Sequence, residues 1–265
     1  MPNIRSSSGI HNDPWVTQDA PALRQVDDLP PAVGAVDTQF GMRSRTSSTV
    51  ALELVPGSVE RMFAENVAAA TSPGFPARYR YGKRLFDLVV ASLGLIFTAP
   101  LIAILGILVR LDSPGPAFFF QSRVGFRGRL FSIIKLRTMV DCDEAEAAET
   151  PVDDDRDTRI GRHLRRWSLD ELPQLINVVL GEMSLVGPRP ELPEIALDRY
   201  EGWQYQRFLV PQGMTGWWQI TDRGTTRLCD DTEDDLEYVA HASFRYDLRI
   251  LLRTLPAVIR QAGVL

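Results

Sequence analysis

Two adjacent carboxylates and a group of arginines form the densest concentration of reactive side chains in the sequence. Asp170 and Glu171 come directly after an arginine-rich stretch, and Arg189 lies between Pro188 and Pro190. The arginines of that stretch are Arg159, Arg162, Arg165 and Arg166. Carboxylates can attack phosphorus or bind a divalent metal, whereas arginine binds phosphate through paired hydrogen bonds. These residue types at this spacing are typical of a site for phosphate chemistry.

The same two acids also fit a purely structural role. Ser168 and Glu171 match a helix capping box, and acidic residues in a first helical turn are favoured by the helix dipole. Pro173 argues against this role, because it would lie inside the helix that the box begins. Both interpretations of Asp170 and Glu171 stay open on the residues alone.

Short strands and a short helix are predicted around these acids. Residues 117–121 and 129–134 have the pattern of two strands joined by a glycine-containing turn. Apolar residues at helical spacing predict a helix over 172–180 that ends at Gly181. Lys135 and Arg137 alternate with Leu136, so on a strand they would share one face, where they could bind phosphate or form a solvated edge. The predicted fold class is α+β, mainly helical.

The longest apolar segment runs from Leu85 to Leu111 and holds only two charges, Asp87 and Arg110. About 20 apolar residues suffice to span a bilayer, but Pro100 lies near the middle and is expected to kink or break a helix. Basic residues flank both ends, and such residues tend to stay cytoplasmic. We therefore predict a re-entrant membrane helix that is broken at Pro100. A spanning helix and a buried hairpin of a soluble domain are the alternatives.

Composition limits the classes of partner. The chain has 265 residues, enough for one or two domains, and its net charge of −5 conceals a basic block beside the apolar segment. That block suits anionic lipid headgroups or phosphate substrates, and nucleic acid would not explain the apolar segment, so we predict no nucleic-acid partner. Two cysteines, Cys142 and Cys229, indicate neither a disulfide framework nor a zinc site. The acidic stretch 141–157 is predicted to be a loop or a short polar helix.

The two ends of the chain differ in character. Residues 1–77 hold eight of the eighteen prolines and little apolar periodicity, so we predict a disordered extension, except for an amphipathic helix over Ser58–Ala70. Phe244–Arg260 has the pattern of a basic amphipathic helix that could lie on an anionic membrane or pack on the domain. The aromatic residues between 203 and 218 could mark a membrane interface or a core, and the acidic run 230–237 is predicted to be solvated.

A set of motifs in a fixed order resembles the bacterial sugar transferases, also called monotopic phosphoglycosyl transferases. The resemblance extends from Tyr79 to the C-terminus. Its motifs are KRLFD at 83–87, DSPGP at 112–116, KLRTM at 135–139, SLDELPQ at 168–174, GEMSLVGPRP at 181–190 and MTGW at 214–217. Each motif is weak alone, but the ordered set is specific. It divides the chain into an extension at 1–77 and a transferase domain at 78–265, with the membrane helix at 85–111 and the catalytic core at 112–265.

The resemblance implies an enzyme on the cytoplasmic face of the bacterial inner membrane. Such enzymes transfer a sugar-1-phosphate from a nucleotide diphosphate sugar, here expected to be a UDP-sugar, to polyprenyl (undecaprenyl) phosphate and release UMP. This step begins the synthesis of exopolysaccharide, O-antigen or another glycoconjugate. By motif match, Asp170 is expected to be the nucleophile that forms a phosphosugar-aspartate intermediate, with Glu171 as its partner. Both residues are the expected ligands of a required Mg²⁺.

Further roles follow from the same resemblance. The residues expected to bind substrate phosphate are Arg165, Arg189, Lys135 and Arg137, and a homodimer would be compatible with the family. The sequence departs from the family at Thr98-Ala99-Pro100, where serine often precedes the breaking proline. Long members carry four N-terminal transmembrane helices, whereas this sequence resembles a catalytic core with a soluble extension. A competing class is a catalytically silent, membrane-anchored assembly protein, but the presence of Asp170 and Arg189 favours the transferase.

Overall fold

The computed structural model describes residues 58–70, 77–140, 157–221 and 232–262. These residues form eight α-helices and four short strands. The helices are α1 (Ser58–Ala69), α2 (Ala77–Asp112), α3 (Arg159–Arg166), α4 (Gln174–Leu180), α5 (Pro193–Arg199), α6 (Trp217–Thr221), α7 (Thr232–His241) and α8 (Phe244–Ala262). The strands are β1 (Phe118–Val124), β2 (Leu130–Leu136), β3 (Ser184–Val186) and β4 (Gly213–Thr215). The described fold is therefore mainly helical with a few short strands, as the sequence predicts.

Helix α2 contains the whole apolar segment and continues through Pro100. Its 36 residues correspond to a length of about 54 Å. The structure differs here from the predicted break. Proline removes one backbone hydrogen bond without ending the helix, because contacts with the rest of the domain hold α2 on both sides of Pro100. One turn before the proline, the Thr98 hydroxyl donates to the carbonyl of Gly94 at 2.8 Å.

One face of α2 packs against the domain in each half of the helix, and the opposite face is apolar and exposed. The buried residues fall in two groups at helical spacing, Lys83, Asp87 and Ala91 in the first half and Ile102, Leu105 and Val109 in the second. The exposed apolar residues are Leu85, Leu88, Val89, Val90, Leu93, Ile96, Phe97, Leu101, Ile104, Ile107, Leu108 and Leu111. Among the described residues, α2 is the one helix long and apolar enough to cross a membrane. A large exposed apolar surface of this kind marks contact with a membrane or a partner.

Both predicted strands flanking the glycine turn are confirmed, each in a slightly longer form. Strands β1 and β2 pair antiparallel, with Phe118 opposite Leu136 and Val124 opposite Leu130. A 3₁₀ turn at Phe126–Gly128 joins them, and Arg127 and Gly128 both have positive φ there. Strands β3 and β4 form a separate parallel pair, with Ser184 opposite Gly213.

Two larger clusters of buried side chains hold the fold together. The first combines α2, α4, the β3–β4 pair, α7 and α8, and its members include Ala91, Val178, Tyr238 and Ile250. The second joins α1 to the rest of the domain through Phe63 and Val67, which contact the aromatic residues of a 3₁₀ segment at Gly202–Leu209. The helix predicted over Ser58–Ala70 is therefore confirmed, and its apolar face is part of a core.

Several surface predictions are corrected by tertiary contacts. Trp217, Tyr205 and Phe208 are buried core residues, so the interfacial alternative is wrong for these three. Asp235, predicted to be solvated, is buried and forms an ion pair with Arg207. The basic amphipathic helix at the C-terminus is confirmed as α8. Residues 1–57 and most of the acidic stretch 141–157 lie outside the described residues.

The basic residues at the start of α2 attach this helix to the domain. Lys83 is buried and its Nζ lies 2.9 Å from Oδ2 of Asp247 in α8. The Arg84 guanidinium donates to the carbonyls of Val178 (2.6 Å) and Val179 (2.8 Å) at the C-terminal end of α4. A cation at that end of a helix is favoured by the helix dipole. These two cations therefore stabilise the fold.

Candidate active site

A 3₁₀ turn at Leu169–Glu171 carries the two adjacent carboxylates. It follows α3, whose N-cap Thr158 accepts a hydrogen bond from the Gly161 N–H through its side chain. Ser168 has a left-handed backbone conformation (φ 53°) and makes no capping hydrogen bond, and α4 begins only at Gln174, after Pro173. The capping-box alternative is therefore wrong. As predicted, α4 ends at Gly181, whose φ of 88° suits a residue without a side chain.

Asp170 is a buried carboxylate, with 7% of its surface exposed. Burial, and after it the neighbouring charge of Glu171, raise its pKa to about 6. Lys135 and Arg165 oppose this shift by favouring the ionised form. At neutral pH the group is therefore a poorly solvated carboxylate that is held among cations, which is the state that a carboxylate nucleophile requires.

Lys135 binds the second carboxylate. Its Nζ lies 2.9 Å from Oε1 of Glu171, across the boundary between β2 and the 3₁₀ turn. The register of β2 is fixed by the buried Asn177 of α4, whose Oδ1 accepts from the Ile134 N–H (3.1 Å) and whose Nδ2 donates to the Ser132 carbonyl (2.7 Å). Asn177 thus places Lys135 beside the two acids.

Glu171 lines an open cleft of about 310 Å³, counted out to the solvent at its mouth, and the buried Asp170 precedes it without being one of the lining residues. The lining residues of the cleft are Arg123, Ile133, Lys135, Glu171, Gln174, Arg189, Pro190, Gly213, Met214 and Gln219. Three of the predicted site residues, Lys135, Glu171 and Arg189, therefore meet in one place although they are distant in sequence. The cleft carries more cationic than anionic side chains, as a phosphate site requires.

The backbone at Arg189 is held by a second buried arginine. Arg207 donates through Nη2 to the Arg189 carbonyl at 2.9 Å, and the same guanidinium lies 2.5 Å from Oδ2 of Asp235 and 3.4 Å from Oε2 of Glu191. The Tyr200 hydroxyl is a further partner. Its carboxylate partners keep Arg207 charged despite its burial, and its pKa is raised. Arg207 thereby fixes the segment that presents Arg189.

The structure places the other two predicted phosphate ligands differently. Arg165 forms an ion pair with Asp157 (Nη1 to Oδ1, 2.8 Å) and is close enough to Asp170 to favour its ionised form. Arg137 donates to the carbonyls of Pro114 (2.5 Å) and Ser113 (2.8 Å), and so holds the loop after α2. These bonds give Arg137 a structural role, and its part in phosphate binding stays a prediction.

The match to known proteins covers most of this fold. Residues 78–261 fit the sequence profile of the family described as Bacterial sugar transferase. The chain belongs to the bacterial sugar transferase family. This membership confirms the resemblance that the ordered motifs indicate, and the matched region includes α2 and every residue of the cleft.

Several relatives in the family have descriptive names. The chain is 43% identical over 189 residues to an undecaprenyl-phosphate glucose phosphotransferase of Komagataeibacter xylinus, covering 65% of this chain and 35% of that protein. It is 42% identical over 188 residues to a UDP-glucose:undecaprenyl-phosphate glucose-1-phosphate transferase of Caulobacter vibrioides, covering 67% and 69%. A UDP-N-acetylgalactosamine-undecaprenyl-phosphate N-acetylgalactosaminephosphotransferase of Aeromonas hydrophila is 36% identical over 192 residues, covering 70% and 45%. The match thus spans about a third of the first relative, two thirds of the second and under half of the third.

Whether a magnesium ion would fit this site depends on Asp170 and Glu171. Mg²⁺ keeps several waters and is commonly bound by one or two carboxylates together with substrate phosphates. Asp170 and Glu171 raise each other's cost of ionisation, which a bound cation would relieve. Within the described residues, no group of three or more His, Cys, Asp or Glu side chains could hold a metal ion. Mg²⁺ at Asp170 and Glu171 therefore stays a prediction, and its coordination would have to be completed by substrate phosphate and water.

Sequence reasoning missed three residues of this site. Arg123 and Gln174 line the cleft, and Arg207 holds the Arg189 backbone. Gln174 lies within the SLDELPQ motif, so its position was available as a signal. Arg123 lies in an arginine-rich hairpin and Arg207 in an aromatic segment, and neither pattern indicates that the arginine is buried.

Proposed function

We propose that this chain transfers a sugar-1-phosphate from a UDP-sugar to polyprenyl phosphate at the cytoplasmic face of the inner membrane. The names of the relatives support the donor and acceptor classes, because they specify UDP-sugars and undecaprenyl phosphate. UDP-glucose is the first donor to test, since two of those relatives are named for glucose. Exopolysaccharide synthesis is the expected setting, because further relatives are named exopolysaccharide production proteins.

The proposed reaction has two steps on one phosphorus atom. A carboxylate oxygen of Asp170 attacks the sugar-bearing β-phosphorus of the donor, the bond from that phosphorus to the bridging oxygen breaks, and UMP leaves with the bonding electrons. This forms a phosphosugar-aspartate. An oxygen of polyprenyl phosphate then attacks the same phosphorus, and the Asp170 carboxylate leaves. Splitting a difficult displacement into two steps is the general advantage of covalent catalysis.

The cleft residues have distinct parts in this scheme. Arg189 and Lys135 neutralise the phosphate charge that would otherwise repel Asp170, and such fixed charges are worth most in a site with little water. Glu171, held by Lys135 at 2.9 Å, completes a pair of carboxylates suited to a divalent ion. Mg²⁺, when bound there with the donor, would supply charge neutralisation at the diphosphate.

The observation that carries the proposal is the environment of Asp170. A carboxylate that is buried, has a pKa of about 6 and lies beside Lys135 and Arg165 is ionised at neutral pH but weakly solvated. A surface acid or a helix-capping acid requires neither burial nor neighbouring cations for its role. This environment supports the covalent role that we propose for Asp170.

The test is a UMP-release experiment on the full chain in detergent or nanodiscs. With UDP-glucose and Mg²⁺ but no lipid acceptor, we expect at most one UMP per active site, followed by arrest, because the covalent step runs once. Mass spectrometry should then find a hexose-phosphate adduct on a peptide that contains Asp170. Addition of undecaprenyl phosphate should restart UMP release.

Three outcomes would separate the alternatives. UMP release that strictly requires both substrates would indicate direct transfer in a ternary complex and would remove the covalent step. Activity with UDP-N-acetylgalactosamine but not UDP-glucose would keep the reaction and change the sugar. No turnover across a panel of UDP-sugars would favour a silent assembly protein of the same fold.

A further inference from the structure

Arg123 is a buried cation at the floor of the cleft. It lies on β1, has 4% of its surface exposed and lines the same cleft as Arg189. Its guanidinium donates to the Pro190 carbonyl (Nη1, 3.3 Å) and to the Gln121 side chain, while its Nε has no hydrogen-bond partner. In the part of the chain that the structure describes, no carboxylate lies within ion-pair distance of Arg123.

The second buried arginine, Arg207, shows what a structural guanidinium looks like in this protein. Arg207 is equally buried, at 3% exposure, but it lies 2.5 Å from Asp235 and 3.4 Å from Glu191. A buried charge without a counter-charge is costly, so structural arginines are normally paired in this way. Arg123 is as buried as Arg207, but Glu191, Glu171 and Glu194 act on it only through their charge and none forms an ion pair with it. Unlike Arg207, Arg123 borders the cleft.

The surroundings of Arg123 add to the excess of positive charge. Burial and the nearby charge of Arg189 lower its pKa to about 10 against the opposing charges of Glu191, Glu171 and Glu194, and Arg123 remains a cation at neutral pH. Together with Lys135 and Arg189 it makes three cations around a cleft that contains one carboxylate in its lining, Glu171. An anion in the cleft would be attracted by these positive charges. Because Arg123 lines the cleft, its guanidinium is placed to donate hydrogen bonds to that anion.

We propose that Arg123 binds a phosphate group of a reactant inside the cleft. The identity of that reactant, a nucleotide diphosphate sugar or a polyprenyl phosphate, rests on the proposed function; the anion site itself does not. The guanidinium donates hydrogen bonds to the Pro190 carbonyl and to the Gln121 side chain. These bonds fix its orientation toward a ligand. This fixed orientation makes Arg123 a binding residue that lysine could replace only in part, because lysine lacks the planar fork.

The direct test is the binding of inorganic diphosphate to the full chain, measured by titration calorimetry. Arg123→Gln should weaken binding by about tenfold or more, as expected for the loss of a charged hydrogen bond. Arg123→Lys should recover part of the loss. Arg129→Gln is the matched control, because Arg129 belongs to the same hairpin, is exposed and lies outside the cleft. It should bind diphosphate within about twofold of the wild type.

Thermal unfolding of the same variants separates binding from folding. Arg123 is a buried cation without an ion-pair partner among the described residues, and its removal relieves a desolvation cost that offsets the loss of its hydrogen bonds to Pro190 and Gln121, so Arg123→Gln should keep the melting temperature close to that of the wild type. Arg207→Gln should lower it clearly, because Asp235 and Glu191 would lose their partner. The proposal is overturned if Arg123→Gln binds diphosphate normally, if it melts as early as Arg207→Gln, or if the wild type does not bind diphosphate.

Two activity measurements identify the reactant. A slower UMP burst from UDP-glucose alone in Arg123→Gln assigns Arg123 to the donor. A normal burst with slow transfer to undecaprenyl phosphate assigns it to the lipid phosphate. Arg123-dependent diphosphate binding in a wild-type protein that releases no UMP would retain the anion site and reject the transferase function. UMP turnover together with normal diphosphate binding in Arg123→Gln would retain the transferase function and reject the anion site at Arg123.

Discussion

In Asp170 the ionised form is less stable, relative to the protonated form, than in an ordinary surface acid. Burial and the neighbouring Glu171 both favour protonation, and they raise its pKa from an ordinary 3.8 to about 6. A carboxylate with a higher pKa is a better nucleophile, provided that it is still ionised at the working pH. Lys135 and Arg165 maintain that balance by opposing the shift. The reactivity of Asp170 is therefore set by side chains from three separate stretches of the chain.

The pH dependence of the UMP burst should report this group. The burst rate should rise with pH, with an apparent pKa near 6, and then reach a plateau, because only the ionised carboxylate attacks phosphorus. Asp170→Asn should abolish the burst across the whole range, since an amide cannot form the acyl phosphate. Rapid-quench measurement of UMP between pH 5 and pH 8 would check both statements.

The stability of Asp170→Asn supplies the control for folding. Between pH 3.8 and about 6 the folded wild type holds a proton that the unfolded chain has lost, so its stability falls as pH rises through this window. The asparagine variant lacks this loss, and its melting temperature relative to wild type should increase from pH 4 to pH 7. An active variant, or one that melts far below wild type at pH 7, would contradict the assignment.

The residues found from sequence are those whose partners are close in the chain or fixed by a motif. Asp170, Glu171 and Arg189 stand in distinctive short patterns, so their types and spacing indicate chemistry directly. Arg123, Arg207 and Asp235 take their meaning from partners on other elements, and a buried ion pair leaves no periodic signal in the sequence. For the same reason the bonds by which Arg137 holds the loop after α2 could not be predicted, and its part in phosphate binding stays a prediction.

At the scale of elements, α1 is joined to the segment that supports Arg189. Phe63 is fully buried and its ring lies 6.2 Å from that of Tyr205 and 6.4 Å from that of Phe208. These rings flank Arg207 in the 3₁₀ segment, and Arg207 bonds the Arg189 carbonyl. The amphipathic pattern of α1 predicts a helix from sequence, but the surface that it covers could not be predicted, because the partner segment lies more than a hundred residues away.

Phe63→Ala should therefore destabilise the domain strongly. Removal of a buried phenylalanine commonly costs about 3–5 kcal/mol, through lost transfer free energy and the cavity that remains. Glu65→Ala on the exposed face of α1 is the control and should change stability by no more than about 0.5 kcal/mol. Denaturant unfolding of the full chain, followed by tryptophan fluorescence, measures both. Equal stability of the two variants would mean that α1 is not part of the cooperative core.

At the scale of the whole molecule, α2 decides how the enzyme meets the membrane. The first half of α2 is fixed by the ion pair between Lys83 and Asp247. Asp87 adds a hydrogen bond, which its carboxylate accepts from the Ser184 hydroxyl at 2.8 Å. The second half of α2 packs through Leu105 and Val109 on Leu136 and Leu164. A helix attached to one domain at both halves cannot place its ends on opposite sides of a bilayer while those contacts last. We expect the opposite, apolar face of α2 to be the surface that contacts lipid.

The topology predicted from the basic flanks, with both ends of α2 in the cytoplasm, stays a prediction, and the helix itself is continuous at Pro100. We expect single cysteines at Tyr81 and Ser122, both exposed and on either side of the apolar segment, to behave alike. In a background without Cys142 and Cys229, a membrane-impermeant maleimide should label neither site in intact spheroplasts and both sites after permeabilisation. The permeabilised sample controls for accessibility. Labelling of one site alone from the periplasm would show that α2 crosses the membrane, and the contacts of one of its halves with the domain would then have to be absent in the cell.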